Sequence, residues 1–171
     1  MERALLNQWI IMNLILKIFL LLLLTAILYQ DLKERMVYLV LFGLTAILLV
    51  YLHLQEITPS VIIFSSTLNL CVIAIVILVL SIYSKIRLKK PLKETFGMGD
   101  GLFFIILALG FPTATFLVLF SFSLLFSYVL FLVLKPNLKI NTVPLAGFQA
   151  LFLVIVLLLS ETVSFVELYA I

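Results

Sequence analysis

Charge is scarce in this chain, and so are most of the residues that build soluble active sites. Only 11% of its 171 residues are Asp, Glu, Lys or Arg, against about a quarter in ordinary globular domains. So few charges cannot cover a water-soluble surface, which excludes a soluble enzyme. There is one cysteine, Cys71, inside an apolar run. It excludes an internal disulfide and a cysteine cluster for zinc. There is one histidine, His53. With no second histidine and no cysteine nearby it reads as an interfacial loop residue, not a metal ligand. No small-residue cleavage site follows the first apolar run, so that run reads as a retained helix. No glycine-rich cofactor loop is present. The expectation is therefore no cofactor, no metal and no nucleic-acid partner.

What remains is apolar. Hydrophobic residues make up 65% of the chain, and the mean hydropathy is +1.38. This predicts an all-α polytopic membrane protein: one domain over residues 1–171, with about six transmembrane helices in a single bundle. The runs extend from about Ile10 to Tyr29, Met36 to Leu54, Ser60 to Tyr83, a shorter one ending near Leu109, Ala114 to Leu134, and Val143-Pro144 to Leu159. Trp9 marks the membrane interface before the first helix. Lys17 lies inside that helix and reads as a snorkelling side chain. Asn69 is a polar residue in the third helix that can bond to a neighbour.

The few charges are placed unevenly. The connections after the first, third and fifth helices hold Lys33, Arg35, Lys85, Arg87, Lys89, Lys90, Lys93, Lys135 and Lys139. The other connections hold no Lys or Arg, and the N-terminal segment holds only Arg3. Basic loops stay in the cytoplasm, which predicts an N-out, C-out protein of the cytoplasmic membrane. The loop from Lys85 to Lys93 suits that topology and contact with anionic lipid.

Two acids stand out on the same predicted face. Asp100 lies in Thr95-Phe96-Gly97-Met98-Gly99-Asp100-Gly101, at the start of the fourth helix, and Asp31 follows the first helix. An acid at a membrane boundary points to function. Gly97, Gly99 and Gly101 leave room for another chain to come close. Two carboxylates at one depth fit an aspartyl protease, in which the pair shares one proton. The same residues also fit a plainer reading. Asp100 then caps the fourth helix, and Asp31 pairs with Lys33 or Arg35.

Gly97-Met98-Gly99-Asp100 resembles the G-x-G-D motif of membrane aspartyl proteases. Within that group the chain is similar to the type IV prepilin peptidases, including the short archaeal preflagellin type. Asp31-Leu32-Lys33-Glu34-Arg35 is similar to the family's first-aspartate context, and the order of helices and acids matches. Val143-Pro144-Leu145-Ala146-Gly147-Phe148 resembles the start of the family's last helix. The resemblance implies Asp31 and Asp100 as catalytic residues. It implies a prepilin-like substrate with a short basic leader before an apolar helix. Glu34 and Glu94 are acids on the same face that can attract such a leader. Three departures stand. Val37-Tyr38-Leu39 replaces the isoleucine-proline-asparagine of many members, and Leu102 replaces a frequent lysine. The cysteine-bearing insert of the long bacterial enzymes is absent, so methyltransferase activity is not implied. Two rival readings are a presenilin or signal-peptide-peptidase type of protease and a non-enzymatic transporter or secretion-assembly subunit. Against the first, Tyr29-Gln30-Asp31 and Pro144-Leu145-Ala146 do not keep that group's Tyr-Asp and Pro-Ala-Leu motifs.

Overall fold

The computed structural model describes residues 2–89, 91, 96–135, 143–162 and 168–169. Lys90, Lys93, Glu94, Thr95, Lys139 and Glu167 lie outside the described residues, as does the side chain of Arg3. Among the described residues there is no strand. Six α-helices follow one another: α1 Glu2–Glu34, α2 Leu39–Glu56, α3 Pro59–Tyr83, α4 Met98–Gly110, α5 Thr113–Leu134 and α6 Leu145–Thr162. All but α4 are long and apolar enough to cross a membrane. The chain is a multi-pass, all-α membrane protein.

Local sequence explains the boundaries. No Gly or Pro interrupts residues 2–34, so α1 continues past the first apolar run. The charged stretch after Tyr29, expected as a connecting loop, is instead the last turn of α1. Asp31 therefore sits on a helix. The helix stops at Arg35, which takes the left-handed conformation at φ 56°, a position usually given to glycine. The Tyr38 N–H then donates to Gln30 Oε1 at 3.1 Å and fixes the entrance to α2. Pro59 occupies the first position of α3, where its missing N–H costs nothing. A π-helical turn, Ser84–Leu88, prolongs α3 and ends at Lys89, again left-handed.

The short helix α4 forms the centre of the bundle. Its 13 residues reach only about 20 Å at 1.5 Å per residue, less than the ~30 Å hydrocarbon core. It packs against α2, α3, α5 and α6, while α1 lies against α2 and α6. Phe103, Phe104, Ile106, Leu107 and Ala108 are all buried, as expected for a helix apolar all round. Rings fill the space between α4 and α5: Phe104 meets Phe120 edge to face, and Phe116 stacks on Phe120.

A short helix ending inside a bundle leaves carbonyls that water cannot reach. Two side chains satisfy them. Asn69 on α3 donates from Nδ2 to the carbonyls of Ala108 and Phe111, both at 2.9 Å. His53 on α2 lies 3.1 Å from the Leu109 carbonyl through Nδ1. Since a carbonyl only accepts, Nδ1 carries the hydrogen. This corrects the reading of His53 as a loop residue: it is fully buried within α2. The interhelical role expected of Asn69 is observed.

Helices α1 and α6 run antiparallel and are tied at two levels. Lys17 of α1 pairs with Glu161 of α6. Fourteen residues further along α1, Asp31 accepts from the Gly147 N–H, fourteen residues back along α6. Equal spacing on both helices keeps the two contacts about 21 Å apart. Lys17 thus remains half exposed, as a snorkelling residue would be, but has a partner.

Candidate active site

The site is built on three helix ends. Asp31 comes from the last turn of α1 and is buried, with 9% of its surface exposed. Asp100 is the third residue of α4, whose N-cap is Gly97. The third element is the start of α6. The first amides of a helix have no partner within it. Here two of them, on consecutive residues, reach the two acids. Ala146 N–H donates to Asp100 Oδ1 at 2.9 Å, and Gly147 N–H donates to Asp31 Oδ2 at 2.7 Å. Neighbouring backbone nitrogens on a helix lie about 3 Å apart, so the two accepting oxygens are within roughly 9 Å of each other.

Each carboxylate has a distinct setting. The Asp100 side chain also turns back to the backbone N–H of Gly97, half of a capping box with an aspartate in the acidic position. It sits at the positive ends of both α4 and α6. Asp31 lies at the negative end of α1, and the start of α6 offsets that. The Arg35 guanidinium is within electrostatic reach of both acids, and each acid is within reach of the other. Lys33 is engaged elsewhere: its Nζ bonds Tyr29 Oη at 3.1 Å and lies over that ring.

Glycine matters here through space rather than backbone conformation, since none of the six has a positive φ. A Cβ at Gly97 would stand 2.8 Å from Asp100 Oδ2. A Cβ at Gly147 would stand 3.0 Å from both Cβ and Oδ2 of Asp31 and 3.4 Å from the Leu28 carbonyl. Gly99 and Gly101 differ: a Cβ there would make ordinary contacts, at 3.5 Å to Phe42 and 3.4 Å to Phe96. Leu102, where a lysine was a common alternative, is half-buried against the core.

The structure therefore brings Asp31, Asp100 and Gly97 together, with Gly99 and Gly101 on the same helix end. It adds Ala146, Gly147 and Arg35. The amides of Ala146 and Gly147 had no signature of their own, because a backbone donor looks the same in any residue. The signal that could have found them is Pro144 just before a helix start, which marks free amides. No family model, curated protein or solved structure matches this chain.

Proposed function

We propose that this chain is a membrane aspartyl endopeptidase of the prepilin-peptidase type, with Asp31 and Asp100 as its catalytic pair. One observation carries the reading: acids from two different helices are held by adjacent amides at the start of a third. A helix cap needs one acid, and a surface ion pair needs no shared amide turn. Convergence of two carboxylates, Asp31 buried and Asp100 half-buried, is what water activation needs.

The chemistry follows from a pair holding one proton. The ionised carboxylate takes a proton from water, and the resulting hydroxyl attacks the scissile carbonyl carbon. The protonated partner gives its hydrogen to the carbonyl oxygen. The tetrahedral intermediate then collapses and the C–N bond breaks. The departing nitrogen takes a proton from one acid as the other recovers one from the intermediate. The pair ends with one proton, as it began. Rate should fall at both low and high pH, and the two limbs belong to the pair rather than to either residue. Arg35 offsets part of the negative charge.

The proposed substrate is a prepilin-like protein with a short basic leader before an apolar helix. Its helix lies in the bilayer, and its leader junction is extended at the acids, because a helix hides its carbonyls. Glu34, exposed beside the site, attracts the basic leader. The basic connections favour a site on the cytoplasmic face of the cytoplasmic membrane. The test is conversion of a leader-bearing prepilin to its shorter form in membranes containing this protein. Asp31→Asn and Asp100→Asn should each abolish conversion while the protein still inserts. Survival of activity in either variant would leave the acids as structural ligands of α6 and remove the aspartyl mechanism.

A further inference from the structure

The other end of the α1–α6 pair holds a cavity of about 450 Å³, within the range of small-ligand sites. It is walled by α1, the end of α2, the end of α6 and the segment around Tyr169. The Lys17–Glu161 pair on its wall lies about 21 Å from the acids, so the cavity is separate from the candidate active site.

Among the described residues, the buried polar atom on its wall that lacks a partner is an acceptor. Asn13 Oδ1 is buried with no hydrogen-bond partner. Glu56 lines the cavity near Tyr169, and among the described residues its carboxylate has no hydrogen bond or ion pair. Lys17, the one cation among the described residues of the wall, is held by Glu161. The described residues of the wall thus carry two carboxylates and one ammonium, a net negative charge. Such a wall suits an occupant that brings N–H donors and positive charge. Trp9 stands half exposed at the mouth, where an indole face attracts a cation and marks the membrane interface. Apolar residues of α1 beside it, Ile10 and Leu14, are about half exposed and offer a surface for acyl chains.

We propose that this cavity binds the headgroup of a phospholipid bearing a primary ammonium. The ammonium donates to Asn13 Oδ1 and Glu56, its charge lies against Trp9, and the phosphate sits beside the exposed side of Lys17. A quaternary ammonium has the charge but no N–H to donate, and a glycerol headgroup has neither.

The test uses the full-length protein in detergent, titrated with phosphatidylethanolamine, phosphatidylcholine or phosphatidylglycerol. Retention is read by native mass spectrometry, and the thermal midpoint is followed in parallel. Phosphatidylethanolamine should bind at least about tenfold more tightly than either other lipid, the worth of one charge-assisted hydrogen bond. Glu56→Gln and Asn13→Leu should each lose that preference while keeping the lipid-free midpoint and the weak phosphatidylglycerol binding. Equal binding of phosphatidylcholine and phosphatidylethanolamine would overturn the donor argument. Equal affinity for soluble phosphoethanolamine would overturn the lipid and leave a small ammonium ligand. Preference unchanged in both variants would overturn the site.

Discussion

At the scale of single residues, the four glycines around the acids divide by what stands opposite them. A methyl group on Gly97 would lie 2.8 Å from the tip of the Asp100 side chain, and that tip can move. Gly97→Ala should therefore cost less than about 1 kcal/mol of stability. Cleavage should nonetheless fall at least tenfold, since roughly 1 Å of misplacement can cost a hundredfold. Paired measurements of the thermal midpoint and kcat/KM check this; unchanged cleavage would mean that the Asp100 position is not critical. Gly147 faces Asp31 and the Leu28 carbonyl, so a methyl there pushes α6 off α1. Gly147→Ala should lower stability by about 1–3 kcal/mol, the usual cost of overpacking, and lower activity too. Gly99→Ala and Gly101→Ala meet only ordinary contacts. Replacing glycine within a helix can add up to about 1 kcal/mol, so their midpoints should hold or rise. Any kinetic cost at these two should lie in KM, as expected of residues beside the substrate path.

At the scale of elements, the short helix α4 accounts for two of the polar residues buried in the bundle, Asn69 and His53. Its C-terminal carbonyls are met by Asn69 and His53, and its N-terminus presents Asp100. Asn69→Leu should uncover the carbonyls of Ala108 and Phe111 and cost about 1–3 kcal/mol for each one left without a partner. A thermal melt in micelles reads the loss; an unshifted midpoint would contradict the capping role. The order of helices and the two acids are legible in the sequence because a charge inside an apolar chain is conspicuous. The end of α1 is not, since Gln30 to Glu34 read equally as loop or as a helical turn until Arg35 breaks it. The place of His53 is hidden for a related reason. It precedes Gln-Glu-Ile-Thr-Pro, and only the packing of α4 shows that a carbonyl waits for it. The amides of Ala146 and Gly147 are backbone groups, so side-chain chemistry cannot mark them.

At the scale of the whole molecule, orientation and mechanism meet in one requirement: the acids must face the compartment that holds the leader. In a Cys71→Ser background, because Cys71 is exposed, a Lys89→Cys variant should resist an impermeant thiol reagent added outside intact cells. Labelling there would reverse the proposed topology and the placement of the site. The central claim is narrower still, that Asp31 and Asp100 act as one unit held by α6. Residues that work as a unit are not additive when removed. The direct measurement is a double-mutant cycle on kcat/KM for prepilin conversion, using Asp31→Asn, Asp100→Asn and the double variant, with insertion and thermal midpoint checked for each. The account predicts that either single change removes essentially all conversion and that the double variant is scarcely worse. Substantial conversion by either single variant, or losses that simply multiply in the double, would contradict it.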